Sequence, residues 1–142
     1  MRKVDVITNN TADKILLIES LSKDKFIKFI YFEEDWAHSE FYQLRFIGQQ
    51  IGNTSVIDFT VDEFSRFVSK LASLLDYNNT FVDWCKPTST LRIESKNNIV
   101  ELFSYVDEKS LKKNKIDWCF TIEYKYLEEI VKNLSKMMRS ED

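Results

Sequence analysis

Phe59-Thr60-Val61-Asp62-Glu63-Phe64-Ser65-Arg66-Phe67-Val68-Ser69-Lys70-Leu71-Ala72-Ser73-Leu74-Leu75-Asp76 is the stretch on which the fold turns. Thr60 has the side chain of a helix N-cap, and Glu63, three residues on, can return a bond to the Thr60 amide and close a capping box. Phe59 and Phe64 hold the two positions of a hydrophobic staple. Val61, Phe64, Val68, Leu71 and Leu75 then recur at helical spacing, and Phe67 and Leu74 widen the stripe. The pattern predicts a helix over 59–76 whose broad apolar face needs a sheet to lie on.

Outward from that helix the period changes to two. Before it, strand-like runs occupy 4–7, 15–18, 26–32, 41–47 and 55–58. In the fourth, Tyr42, Leu44 and Phe46 share one face, and Gln43 and Arg45 the other. After it, runs follow at 81–85, 91–94, 99–106 and 116–124. The last places Ile116, Trp118, Phe120, Ile122 and Tyr124 on one face, and Asp117, Cys119, Thr121 and Glu123 on the other. A second amphipathic helix over 126–139 runs through Leu127, Ile130, Val131, Leu134 and Met138. Glu128 and Glu129 sit near its start, with Lys132, Lys136 and Arg139 toward its end, as the helix dipole favours. The expected fold is α+β: one antiparallel β-meander sheet with two amphipathic helices packed on one face. No linker or shift in composition divides residues 1–142, so a single domain is expected.

A chain of 142 residues with 44% hydrophobic and 14% aromatic content can build a sizeable core. Two glycines and one proline leave the turns to other residues. Asn9-Asn10, Asn78-Asn79 and Asn97-Asn98 stand where turns are needed, and Asn tolerates the left-handed backbone. Met1-Arg2-Lys3-Val4-Asp5 lacks the apolar stretch of a signal peptide, and no run is long enough to span a membrane. A cytoplasmic protein with Cys85 and Cys119 reduced and buried is therefore expected. A net charge of −3 speaks against a general nucleic-acid binder, which carries a basic stripe.

Chemistry is sparsely provided. His38 is the one histidine, and no phosphate-binding loop, dinucleotide fingerprint or zinc motif occurs. The expectation is a protein that is not an enzyme, with no metal and no cofactor. Asp-Trp-Cys occurs at 83–85 and again at 117–119. Read functionally, it would be an internal duplication or a Cys85–Cys119 bridge; read structurally, it is two strands each presenting a Trp to the core, so Trp84 and Trp118 are expected there. Residues 33–40 concentrate four acids, with no Lys or Arg between Phe29 and Leu44. As a solvated loop that stretch needs no function. As a docking edge, Glu33, Glu34, Asp35 and Glu40 would steer a basic partner and Trp36 would supply a buried anchor. The wet face of the sheet near Asp117 and Glu123 is the alternative surface. Residues 109–115, rich in Lys, read as an exposed hairpin loop.

The strand-rich start, Phe59-Thr60-Val61-Asp62-Glu63-Phe64, Leu91-Arg92-Ile93-Glu94 and Asp117-Trp118-Cys119-Phe120-Thr121-Ile122 together resemble the WapI-type immunity proteins of contact-dependent, cell-wall-associated toxin systems in Firmicutes. That resemblance implies a cytoplasmic antitoxin that binds and inhibits the C-terminal domain of its cognate toxin, typically a basic nuclease, without itself touching nucleic acid or membrane. Such proteins share no catalytic residues, so none carries over. The competing expectations are a small enzyme of unknown reaction and a nucleic-acid-associated regulatory protein. A polar pocket around His38 would favour the first, and a basic face the second.

Overall fold

The computed structural model describes residues 7–10, 15–34, 39–48, 54–76, 78–87, 89–108 and 113–138. In chain order these form β1 (Ile7–Asn10), β2 (Ile15–Glu19), β3 (Phe26–Glu34), β4 (Ser39–Ile47), β5 (Thr54–Thr60), α1 (Val61–Ser73), β6 (Phe81–Cys85), β7 (Ser89–Lys96), β8 (Ile99–Glu108), β9 (Lys113–Glu123) and α2 (Leu127–Met138). A short 3-10 turn, Tyr124–Tyr126, leads into α2. The α+β class is as expected, but the single sheet is not. Strands β1 to β5 make one antiparallel meander in sequence order and β6 to β9 make another. The chain leaves the edge strand β5 through α1 and re-enters as β6, which pairs with β7 and not with the first sheet. A four-stranded meander followed by a helix thus occurs twice, as β2–β5 with α1 and as β6–β9 with α2.

Local sequence accounts for each end. The Glu63 N–H donates to Thr60 Oγ1 at 3.1 Å, and the Thr60 N–H donates to Glu63 Oε1 at 2.9 Å, so the capping box is formed. Phe59 and Phe64 meet edge to face at 5.5 Å. Val61 departs from the predicted stripe. It is the first helical residue and 43% exposed, and the buried face is carried by Phe64, Phe67, Val68 and Leu71. In α2, Met137 lies in the core where Met138 was expected, and Met138 is only partly buried. Asn97 and Asn98 form the β7–β8 turn with φ of 52° and 68°, the two positive values that a two-residue hairpin loop demands.

One core serves both sheets and both helices. Phe67 of α1 lies against Phe29 of β3, Phe59 of β5 and Trp84 of β6, at 6.2, 5.0 and 5.8 Å between ring centroids. Trp118 of β9 stacks on Phe46 of β4 at 4.5 Å. Trp84 and Trp118 are therefore core residues, as expected of the repeated Asp-Trp-Cys. They lie on the two edge strands of one sheet, which are not equivalent positions in the two meander-and-helix units. The Asp-Trp-Cys pair is thus no trace of duplication.

The same placement decides the cysteines. Cys85 on β6 and Cys119 on β9 are separated by β7 and β8, roughly 14 Å at the usual strand spacing, which is too far for a bridge. Both thiols are free. The expectation that they are buried is corrected: Cys85 is exposed and Cys119 half-buried, because each occupies an outward position beside an inward Trp. Alternation also breaks at a bulge. Ser104 pairs with Trp118 and Tyr105 with Ile116, so Asp117 is skipped in the register, and the expected facing of Ile116 and Asp117 lies outside the described side chains.

Thr60→Ala should lower stability by ~1 kcal/mol, read from chemical denaturation. The Glu63 carboxyl is held below its ordinary range, chiefly by the Thr60 backbone N–H. A depressed folded value means that this contribution is present above the unfolded value and fades as pH falls through the folded one. The difference between wild type and Glu63→Ala, which removes the carboxyl itself, should accordingly shrink in acid. The double variant Cys85→Ser, Cys119→Ser should match the wild-type melting curve, since neither thiol is a core group. A large loss of stability would show that one of them is.

Candidate protein-binding site

The β3–β4 hairpin puts the acidic stretch on a defined ladder. Tyr31 pairs with Tyr42, Phe32 with Phe41, Glu33 with Glu40 and Glu34 with Ser39. Because strand side chains alternate, Ile27, Phe29, Tyr31 and Glu33 share the face that looks toward the core, and the Glu33–Glu40 rung extends that face past the core's edge. Both glutamates are exposed. Like charges directly opposite one another destabilise a hairpin, and among the described residues neither carboxylate has a cation within ion-pair distance.

The next rung inward is aromatic and anchored. Tyr31 and Tyr42 lie 5.1 Å apart. Tyr42 stacks on Phe64 at 4.0 Å, and its hydroxyl donates to the Met137 carbonyl at 3.5 Å. Burial and the Glu40 charge raise the Tyr42 phenol. The Tyr31 phenol is pushed up to about 12, first by burial and then by Glu40 and Glu33, and it is also hydrogen-bonded to Glu40. The phenol thus registers the negative potential of the glutamate rung.

Of the five residues singled out from the sequence, the structure brings Glu33 and Glu40 together. It sets Glu34 one backbone position beyond Glu33 on the same strand. Asp35 and Trp36 lie outside the described residues, as does His38.

The outward face of the second sheet is the alternative surface, and it holds residues that sequence reasoning missed. Arg92 donates to both Asp83 oxygens, Nε to Oδ1 at 2.8 Å and one terminal nitrogen to Oδ2 at 2.9 Å. This bond, with the Arg92 charge, holds the Asp83 carboxyl below its ordinary range. The guanidinium lies over the ring of Phe81, 4.2 Å from its centre, and Phe81 is 47% exposed. Phe103 and Tyr105 lie 6.1 Å apart on β8, and Glu94 and Glu101 oppose each other across β7 and β8. The signal was present in the alternation, since 81 and 83, 92 and 94, and 101, 103 and 105 all point away from the core.

Two concavities among the described residues offer little to catalysis. The cavity among Ile18, Phe29, Phe67, Leu71, Val100 and Ile122 has about 20 Å³, room for one water at most, and an apolar lining that keeps it dry. A cleft of about 260 Å³ between Asn79, Thr80, Ser95, Asn97, Asn98 and Tyr124 contains no ionisable group that could act as acid or base near neutrality. Two of its polar groups cap the C-terminal end of α1: Tyr124 Oη donates to the Leu74 carbonyl at 2.9 Å and Asn79 Nδ2 to the Ser73 carbonyl at 3.0 Å. Among the described residues no group of three metal-ligating side chains occurs, and no helix is long and apolar enough to cross a membrane.

No family model matches the chain, and no curated protein matches it. Among solved structures, it is similar to the crystal structures of trypanosome MRP1/MRP2, with a TM-score of 0.52 over 94% of this chain and 81% of that one. The two are 11% identical, so the likeness is one of fold alone.

Proposed function

We propose that this protein acts by binding another protein, as a cytoplasmic immunity protein that covers the basic C-terminal nuclease domain of a cognate contact-dependent toxin. One observation carries the reading: Glu33 and Glu40 oppose each other, exposed, at the end of an anchored hairpin. In the free protein that rung costs roughly 0.2–1 kcal/mol. A basic partner turns the cost into attraction, and the phosphate-binding groove of a nuclease is such a partner. The role requires no catalytic group of its own, no metal and no cofactor. Tyr31 and Tyr42 hold the glutamates in place before binding, so little ordering cost falls on association.

Association and dissociation rates with the toxin domain test the proposal. Changing Glu33 and Glu40 to Gln, together with Glu34→Gln and Asp35→Asn, should slow association at low salt and flatten its salt dependence, because exposed charges act on encounter. Trp36→Ala should speed dissociation, by a factor that corresponds to ~2 kcal/mol if the ring is a central anchor. Unchanged rates in both variants would move the site elsewhere, first to the outward face of β6–β9. The Tyr31 phenol gives an independent readout. Neutralising Glu33 and Glu40, by substitution or by a bound basic partner, should lower its titration point in ultraviolet absorbance. It should remain above the ordinary tyrosine value, because burial is the larger cause.

A further inference from the structure

The inward face of the second sheet outlasts the core that it covers. Val100 and Ile122 pair across β8 and β9 as buried residues. Beside Val100 on β7 stands Ser95, and beyond Ile122 the same face of β9 runs on to Tyr124. Opposite these polar residues, α1 ends at Leu74 and the chain returns through Asn79 and Thr80. The cleft of about 260 Å³ lies between these two walls. Its backbone is fixed. The Ser95 N–H donates to the Thr80 carbonyl at 2.7 Å, the Tyr124 N–H donates to the Asn98 carbonyl at 2.8 Å, and Asn97 and Asn98 are held in their left-handed turn. The side chains are uncommitted: among the described residues, the Thr80 and Ser95 hydroxyls and the Asn97 and Asn98 carboxamides make no hydrogen bond.

The chemistry of the walls narrows what fits between them. Charged residues make up 30% of the chain, yet none lines the cleft. Lys96, between Ser95 and Asn97, alternates onto the outward face of β7. The Asp76 carboxylate, near the other wall, accepts the Asn78 N–H at 3.0 Å. A phosphate, carboxylate or ammonium group would therefore give up hydration here without meeting a counter-ion. A purely apolar molecule would leave the hydroxyls and carboxamides without partners. Each carboxamide offers a donor and an acceptor side by side, and each hydroxyl does both from one atom. The matching ligand is uncharged and carries several hydroxyls around its edge. The volume is just under the roughly 300–1,000 Å³ of ordinary ligand pockets, which suits one small ring.

We propose that this cleft binds a single uncharged sugar ring, with the Asn97 and Asn98 carboxamides and the Thr80 and Ser95 hydroxyls as its hydrogen-bonding partners. Neutral hydrogen bonds exchanged with water contribute little each, so the dissociation constant should lie in the millimolar range. The site does not depend on the toxin-binding reading. It lies at the C-terminal end of α1, whereas the acidic hairpin is anchored near the start of that helix through Phe64.

Nuclear magnetic resonance titration of the isotope-labelled chain with glucose, galactose, mannose and N-acetylglucosamine tests this without any toxin. At least one sugar should shift the side-chain amide signals of Asn97 and Asn98 saturably. Glucuronate, the same ring with a carboxylate, should bind about tenfold more weakly than glucose if glucose is the sugar taken. The double variant Asn97→Gly, Asn98→Gly keeps a turn that glycine also adopts, so its melting curve should hold while binding weakens about tenfold or more. Thr80→Val, which keeps the shape without the hydroxyl, should weaken binding severalfold. Maltose binding beside glucose would assign the site to the end of a sugar chain, and glucose alone to a free sugar; either upholds the proposal. Absence of a saturable shift with every sugar, undiminished binding by the glycine variant, or preference for glucuronate would overturn it. So would tighter binding of adenosine than of any sugar. The Gln and Asn variants of the acidic hairpin should bind the sugar normally, which separates failure of this proposal from failure of the toxin-binding one.

Discussion

Phe67 sits where three strands from two sheets converge on one helix. Its ring touches Phe29 and Phe59 from the first sheet and Trp84 from the second, and Phe64, one turn earlier, extends the contact to Tyr42. The sheets share no strand, so their relation depends on such side-chain junctions. The Phe46–Trp118 stack is another, and a backbone bond from the Leu21 N–H to the Thr121 carbonyl at 2.7 Å is a third. Rings of this size bury more than 150 Å² each, and paired rings add up to about 1.5 kcal/mol beyond burial. Fixing the direction of α1 fixes the plane of both sheets.

Rigidity passes from that junction into the β3–β4 hairpin one rung at a time. Phe29 and Leu44 lie in the core, Tyr31 and Tyr42 at its margin, and Glu33 and Glu40 beyond it. Tyr42 is the hinge between these regimes, with its ring stacked on Phe64 and its hydroxyl bonded to the far end of α2. The opposed glutamates are the strain of a charge pair held on a stiff support. The two phenols are raised first by burial and then by that potential.

What was legible in the sequence is what neighbouring residues decide among themselves. Thr60 and Glu63 are three residues apart and fix the start of α1 whatever surrounds them. Asn97 and Asn98 fix a hairpin in the same way, and Tyr42, Leu44 and Phe46 fix a strand face. Partition into two sheets was not legible, because nothing within β5 or β6 states that α1 will separate them. Val61 shows the same limit. Its spacing fits the stripe, yet at the first turn the helix has not reached the core. The cysteines were misplaced because thiols are usually buried, while two-residue alternation beside Trp84 and Trp118 turns both outward. Of the candidate site, the charge cluster was legible from composition, and the pairing of Glu33 with Glu40 was not, because register emerges only when the strands meet. The aromatic and guanidinium group around Phe81 required three strands to be aligned at once.

Two surfaces of different character emerge from the same two strands because alternation assigns successive residues to opposite faces. Glu33 and Glu40 end the face that begins in the core, and Phe32 and Phe41, one position away, belong to the other. A one-residue slip in register would exchange them, burying charge against the core and exposing Tyr42. Tyr42 prevents it, since its stack on Phe64 is available in one register only. The acidic rung and the apolar outward face are therefore locked to each other.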